Sequence, residues 1–134
     1  MTAFQDGHFV ETSLGYSPLP GLVMSTRCGD IDAEVVLELC RGGYSADAVS
    51  SILNNQSGLL GLSGFSSNLE EVIAEGERGN EDCRIAAEVC ANWLKTYLGG
   101  YYWLLGGADA IVFTDSLGTR SRSLGRWCAA ESRN

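Results

Sequence analysis

The residue whose type and position most clearly suit a chemical role is Arg27, in the stretch SPLPGLVMSTRCGDIDAEVV. It follows a turn of small residues and precedes three acidic residues, Asp30, Asp32 and Glu34. A guanidinium group is planar and permanently charged, and it can contact two oxygen atoms of one anion at once. The spacing leaves two interpretations: Arg27 binds an anion, or it forms an ion pair with Asp30 or Asp32 or caps a helix end.

The composition is typical of one soluble globular domain. The chain has 134 residues, of which 45% are hydrophobic and 19% are charged, and this length can bury a core without a disulfide or a metal. The net charge of −8 argues against a nucleic-acid or anionic-membrane surface, because such partners are bound by clustered lysine and arginine. No apolar run approaches the length that spans a bilayer.

The charge changes sharply near the C-terminus. Met1–Gly118 has 5 basic and 16 acidic residues, a net charge of −11, whereas Thr119–Asn134 has four arginines and one glutamate, a net charge of +3. Such a break is typical of a tail or a boundary. We therefore predict a domain over 1–118 and a divergent basic tail over 119–134, with three open interpretations of the tail: a disordered segment, the product of a frameshift near Gly118, or a genuine divergent end of the chain.

The cysteines indicate a reducing compartment. They are Cys28, Cys40, Cys83, Cys90 and Cys128, an odd number without a C-x-x-C pair. The N-terminal sequence MTAFQDGHF has no signal-peptide pattern, so we expect a cytoplasmic protein with free thiols and no metal site. A serine or cysteine hydrolase is disfavoured, because His8 is the single histidine and GLSGF lacks the G-x-S-x-G spacing.

The elements that must position Arg27 begin with a hairpin. Thr2–Phe4 and His8–Thr12 are predicted to pair as antiparallel strands around an Asp6-Gly7 turn. DIDAEVVLELCRGG has apolar residues at helical spacing and predicts a helix capped by Asp30. A second helix, capped by Ser45, is predicted in SADAVSSILNN. The segment QSGLLGLSGFSSN, rich in glycine and serine, predicts a loop anchored by its apolar residues.

The second half of the chain predicts two helices and a strand. NLEEVIAEGERGN predicts a brief acidic helix, and EDCRIAAEVCANWLKTYLGGYYWLLGG predicts a long one. The apolar face of the long helix includes Ile85, Val89, Trp93, Tyr97 and Tyr101 beside Ala86, Cys90, Leu94 and Leu98. ADAIVFT predicts a buried strand. This order indicates an α/β or α+β fold in which the long helix packs on a sheet.

Four segments, in this order, resemble the acetate kinase family and its propionate kinase relatives. They are VETSLGYSPLPGL, STRCGDID, LNNQSGLLGLSGFSS and LGGADAIVFT. The resemblance implies an α/β fold, a partial ribonuclease-H-like C-terminal domain of the actin, Hsp70 and sugar-kinase superfamily. It also implies phosphoryl transfer from ATP to acetate or propionate with Mg2+, giving ADP and an acyl phosphate, in a homodimer.

The resemblance implies a catalytic role for Arg27, which matches the family arginine beside the transferring phosphoryl group. The nucleotide-binding residues that it implies are Asn68, Leu69, Glu70, Ser116, Leu117, Gly118, Thr119 and Arg120. At Glu70 the family pattern has an arginine, so we expect the reversed charge to weaken nucleotide binding. The match begins after the family's first phosphate loop, so a missing N-terminal half is an expected partner and the chain alone is expected to be inactive. The alternatives are a nucleotide-binding domain without transfer and a dimerisation module centred on the aromatic residues of 93–103.

Overall fold

The computed structural model describes residues 1–114, which form a hairpin followed by five helices. The elements are β1 (Thr2–Gln5), β2 (His8–Thr12), α1 (Ala33–Arg41), α2 (Ala46–Asn55), α3 (Gly58–Ser63), α4 (Leu69–Glu77) and α5 (Glu81–Leu105). The predicted partial α/β fold, with an N-terminal hairpin followed by helices, is confirmed. Within these 114 residues no helix combines the length and apolarity needed to cross a membrane.

The hairpin forms around the predicted Asp6-Gly7 turn. Strands β1 and β2 pair antiparallel, with Phe4 opposite Phe9 and the two rings edge to face at 6.3 Å. The turn residues Asp6 and Gly7 have φ values of 51° and 77°. Two consecutive left-handed residues match the right-handed twist of the flanking strands, which is why this dipeptide predicts hairpins well.

Helix α1 begins two residues later than predicted. Its N-cap is Asp32, whose carboxylate accepts a hydrogen bond from the Glu34 N–H at 2.9 Å. The prediction that Asp30 caps this helix was wrong, because both carboxylate oxygens of Asp30 accept hydrogen bonds from other parts of the chain. Helix α2 has its predicted cap, since the Ser45 hydroxyl accepts a bond from Ala48 N–H.

The glycine- and serine-rich segment predicted as a loop contains helix α3, so that prediction was wrong. Leu59 in this helix is only 1% exposed and packs in the core. The helix lasts six residues and ends at Gly64, whose φ is +58°. Packing of Leu59, together with bonds from the first N–H groups to a neighbouring loop, outweighs the low helix propensity of the composition.

The core lies where α3, α4 and α5 meet. Its buried members are Leu59, Leu69, Val72, Ile73, Cys83, Ala86 and Ala87. The long helix was predicted to pack on a sheet, but it packs mainly on α3 and α4 and makes a smaller contact with β1 of the hairpin. Its buried face is lined by small residues, and Ile85, predicted on the apolar face, is 42% exposed. Small side chains let neighbouring helices approach closely.

The strand predicted in ADAIVFT is absent from the described residues. Residues 108–114 form no regular element, and Ile111 and Val112 are 59% and 77% exposed. A strand needs a neighbour to satisfy its backbone N–H and C=O groups. In residues 1–114 the sheet consists of β1 and β2, which pair with each other, so this segment has no strand beside it.

Candidate active site

Arg27 lies on a loop that closes on itself. We define the Arg27 loop as Gly21–Asp30. At its base the Asp30 N–H donates to the Gly21 carbonyl at 3.0 Å, and the Gly21 N–H donates to Asp30 Oδ1 at 2.8 Å. The backbones are close here, because a Cβ on Gly29 would lie 2.7 Å from the Gly21 carbonyl oxygen. The loop therefore needs glycine at position 29 to close, whereas a Cβ on Gly21 would lie 2.6 Å from the Ser13 carbonyl oxygen.

The tip of the Arg27 loop is bound by the start of α3. The N–H groups of Leu59 and Leu60 donate to the carbonyls of Met24 and Ser25 at 2.8 and 3.0 Å. The first N–H groups of a helix have no partner inside it, so a loop that supplies carbonyl groups satisfies them. The loop and α3 thus stabilise each other.

The end of α2 binds the same tip from the other side. The Cys28 N–H donates to the Leu53 carbonyl at 3.0 Å. The Thr26 hydroxyl donates to the Asn54 carbonyl at 2.9 Å, and the Ser57 N–H donates to the Thr26 carbonyl at 3.0 Å. Arg27 is therefore flanked on both sides by residues whose backbone is fixed.

Gly58 is the point of closest approach between loop and helix. Its φ is +61°, and a Cβ there would lie 2.2 Å from the Met24 carbonyl oxygen and 2.8 Å from the Arg27 carbonyl oxygen. This close approach requires both a left-handed backbone conformation and the absence of a side chain at position 58. The sequence pattern did not single out Gly58, although its position between the end of a helix and an apolar run was an available signal.

The Arg27 side chain is half-buried and has no acidic partner among residues 1–114. Arg41, Arg78 and Arg84 each form ion pairs with glutamates of the same helix or its neighbouring turn. The proposed ion pair of Arg27 with Asp30 or Asp32 is therefore not found in this part of the chain.

Asp30 connects the base of the Arg27 loop to α5. Its second oxygen, Oδ2, accepts a hydrogen bond from the Tyr97 hydroxyl at 2.5 Å. This bond, together with burial, raises the pKa of Tyr97 to about 12. The Tyr97 ring contacts the Trp93 ring in a tilted arrangement and the Tyr101 ring edge to face, at ring-centroid distances of 6.3 and 5.8 Å. The sequence placed Tyr97 on the apolar face and gave no signal of its bond to Asp30.

A groove of about 430 Å³ lies between the Arg27 loop, α3 and α5. Its lining includes Cys28, Ser57, Gly58 and Trp93. Burial raises the pKa of the Cys28 thiol, which keeps it protonated at neutral pH and unsuited to act as a nucleophile. Arg27 itself is not among the residues that line this groove.

The predicted adenosine-contacting residues lie at the start of α4. The Asn68 side chain is the N-cap and accepts a hydrogen bond from the Glu70 N–H at 2.9 Å. Leu69 is 2% exposed in the core, while Glu70 is exposed. Helix α3 and a short connection separate this segment from the Arg27 loop, and no hydrogen bond between the two is present among residues 1–114.

The second predicted phosphate segment, Ser116–Arg120, lies outside the described residues, as does the boundary predicted at Gly118. Within residues 1–114, no three histidine, cysteine, aspartate or glutamate side chains are grouped so that they could hold a metal ion. Magnesium, which the resemblance implies, therefore has no complete site in the described part of the chain.

Solved kinase structures share this fold. The acetate kinase of Entamoeba histolytica matches 97% of this chain and 34% of its own, with a TM-score of 0.91 and 34% identity. A propionate kinase from Francisella tularensis has the same coverage and TM-score at 31% identity. The fold thus defines the chain as part of a carboxylate-kinase domain.

The sequence comparison is more specific. The sequence model of the acetokinase family matches residues 1–130, and the chain belongs to this family. The curated acetate kinase of Dictyoglomus thermophilum is 44% identical over 121 residues, which cover 90% of this chain and 30% of that protein. The chain therefore spans about 30% of the length of this relative. The resemblance stated from the four segments is confirmed.

Replacing Gly58 with alanine tests the contact between the Arg27 loop and α3. We expect Gly58→Ala to lower the free energy of unfolding by about 3 kcal/mol or more, since it combines a left-handed alanine with a clash against backbone oxygens. Gly64→Ala is the matched control: its φ is also positive, but no atom lies within 4 Å of the added Cβ. It should cost about 1 kcal/mol. Equal losses in urea denaturation of the two variants would contradict the close approach.

The Tyr97–Asp30 bond predicts a specific alkaline sensitivity. The pKa of Tyr97 is raised from 10.0 to about 12 in the folded chain, so the stabilisation is fully present below pH 10 and is lost as the pH rises through 12. Between these pH values the free energy of unfolding should fall more in the wild type than in Tyr97→Phe. Tyr102→Phe, an exposed tyrosine on the same helix, should behave as the wild type. The measurement is urea denaturation at a series of pH values, and the same fall in wild type and Tyr97→Phe would refute the assignment.

Proposed function

We propose that this chain supplies the Arg27-bearing part of an acetate-kinase-like phosphotransferase, which converts ATP and acetate or propionate to ADP and an acyl phosphate. The observation that carries the proposal is a half-buried guanidinium without an acidic partner among residues 1–114, on a loop fixed at base and tip. The membership in the acetokinase family supports it. The proposal assigns binding of the acyl substrate and the nucleotide, and the other wall of the cleft, to the whole protein rather than to this chain alone.

The role of Arg27 follows from the charge of the transferring group. A phosphoryl transition state spreads negative charge over three equatorial oxygens. A guanidinium can donate two hydrogen bonds to two of these oxygens at once. A donor that is already held in place costs no reorganisation when charge develops, and such a donor contributes about 3 kcal/mol, or on the order of a hundredfold in rate.

We propose that residues 68–70 bind the nucleotide more weakly in this chain than the family pattern implies. The Asn68 side chain is used as a helix cap and the Leu69 side chain is in the core, so contact with adenosine would use their backbone or the exposed Glu70. A carboxylate beside a polyanion is unfavourable. The segment Ser116–Arg120 remains a proposed phosphate contact. No step is assigned to magnesium, because the described residues form no complete site for it.

The free thiols of Cys28, Cys40 and Cys83 support a cytoplasmic location, since a reducing compartment keeps such thiols unpaired.

Activity measurements test the role of Arg27. We expect the 134-residue chain alone to form no acyl phosphate from ATP and acetate with Mg2+, because the remaining wall of the cleft supplies the substrate positioning. In the acetate kinase of Dictyoglomus thermophilum with its matching segment replaced by residues 1–114, Arg27→Ala should lower kcat on the order of a hundredfold.

Arg41→Ala in the same exchange protein is the matched control, because Arg41 is an exposed arginine paired with glutamates of its own helix. It should leave kcat within about twofold. A kcat in Arg27→Ala equal to that of the exchange protein would overturn the catalytic role. Turnover by the isolated chain, lost in Arg27→Ala, would overturn its dependence on the rest of the protein.

The second candidate is a non-catalytic dimerisation module. It is favoured by the exposed end of α5, where Trp103 is 88% and Tyr102 60% exposed, since clustered apolar surface of this kind is typical of interfaces. Size-exclusion chromatography with light scattering on the full chain should then give a dimer that Trp103→Ser dissociates. Tyr16→Ser, which changes an exposed aromatic residue outside this cluster, is the control. A monodisperse monomer would reject this alternative.

A further inference from the structure

A second groove, also of about 430 Å³, runs along α5 and reaches Asp30 at the base of the Arg27 loop. We call it the α5 groove, and its lining residues are Asp30, Trp93, Thr96, Tyr97, Gly100, Tyr101 and Leu104. Three of these seven residues are aromatic and one is acidic, and no basic residue of the described part of the chain lines it. This composition is unusual for a surface groove and indicates a ligand of positive charge.

The three aromatic rings suit a cation. Trp93, Tyr97 and Tyr101 are four residues apart and therefore lie on one face of the helix. All three are half-buried, so part of each ring is still exposed. The Tyr97 and Tyr101 rings meet at 77° with centroids 5.8 Å apart, and the Trp93 ring is tilted by 35° to Tyr97 at 6.3 Å. Rings set at different angles around one space attract an ammonium or guanidinium group through their electron-rich faces.

Asp30 supplies a negative charge to the same groove. Its Oδ1 accepts a hydrogen bond from the Gly21 N–H at 2.8 Å, and its Oδ2 accepts one from the Tyr97 hydroxyl at 2.5 Å. A carboxylate has about four acceptor positions, and Asp30 is exposed, so it can accept further N–H groups. A guanidinium stacks on aromatic rings and donates to a carboxylate in its own plane, which favours arginine over lysine as the ligand.

The basic tail of this chain contains arginines that can reach the groove. Residues 119–134 have a net charge of +3, whereas residues 1–118 have a net charge of −11. The groove extends to the last turn of α5, which ends at Leu105. Thr114 is nine residues further on and therefore at most about 30 Å away. The 12 residues from there to Arg126 can extend about 40 Å, so the chain is long enough to return to the groove.

We propose that the α5 groove is a guanidinium-binding site and that arginines of residues 119–134 of the same chain occupy it. The bound guanidinium lies against the exposed aromatic rings and donates to the Asp30 carboxylate. This contact is independent of the proposed function, because it involves neither Arg27 nor a phosphoryl group.

The measurement is the 15N NMR signal of the Trp93 indole N–H in the full 134-residue chain, assigned as the signal lost in Trp93→Phe. The tail variant replaces four arginines by glutamine: Arg120, Arg122, Arg126 and Arg133. It should shift the Trp93 signal, because the ring loses a neighbouring cation. Arg41→Gln combined with Arg78→Gln is the control, since both arginines are exposed and paired with glutamates outside the groove. This control should leave the signal unchanged. A Trp93 signal that is the same in wild type and tail variant would overturn the proposal.

Asp30→Asn tests whether the arginines bind at this groove. Asparagine keeps an oxygen that can accept a hydrogen bond but removes the charge. In the Asp30→Asn background the tail variant should shift the Trp93 signal less far than in the wild-type background, because partners that contact each other are coupled. Asp32→Asn removes a neighbouring carboxylate that does not line the groove and should retain the full shift. Equal shifts in the two backgrounds would contradict the proposal.

Methylguanidinium chloride distinguishes the tail from an external cation. Added to the tail variant, it should return the Trp93 signal towards the wild-type position, whereas NaCl at the same ionic strength should not. If it shifts the signal of both chains alike, and the two do not differ without it, the groove binds an external cation and the tail is the wrong occupant. If it shifts neither signal, the groove is not a guanidinium site.

Discussion

The contact on which the rest of the site depends is the bonding of the first N–H groups of α3 to the carbonyls of the Arg27 loop. These N–H groups have no partner inside their own helix, and the loop carbonyls have none inside a sheet, so each set satisfies the other. The contact is possible only because residue 58 has no side chain. A short helix of low intrinsic propensity and an irregular loop thus become one fixed unit.

This unit carries Arg27, which has no acidic partner among residues 1–114. The described part of the chain pairs its other arginines with glutamates on helix surfaces, where such pairs contribute little to stability. The two aspartates that follow Arg27 in the sequence form other hydrogen bonds: Asp32 caps α1 and Asp30 joins the loop to α5. The Arg27 guanidinium forms no ion pair within residues 1–114.

Short sequence patterns correctly predicted the elements that are stabilised by contacts between residues close together in the sequence. The Asp6-Gly7 turn defined the hairpin and Ser45 defined the start of α2, because each satisfies backbone groups a few residues away. Helix α3 could not be predicted in this way, since its first N–H groups bond to residues more than 30 positions earlier. The prediction of a strand after α5 was wrong because it ignored a non-local requirement. An apolar run forms a strand only beside another strand, and none is adjacent to it in the described residues.

For the site, the residues pointed to Arg27 as an anion binder or an ion-pair partner, and the family resemblance favoured the first. The sequence did not reveal Tyr97, because a tyrosine at helical spacing fits core packing equally well. It misassigned Asp30, because an aspartate before a helix is most often its cap. Both residues are defined by a bond between positions 67 apart, which no local pattern encodes.

The same long separation has a consequence for the order in which the chain folds. Helices α3, α4 and α5 are close in sequence, so their core can assemble after the closure of short loops only. The bond between Asp30 and Tyr97 closes a much longer loop, and the entropy lost in that closure is recovered only once α5 is in place. The Asp30–Tyr97 bond should therefore form after the shorter-range contacts of the Arg27 loop with α2 and α3 and, in the native protein, open before them.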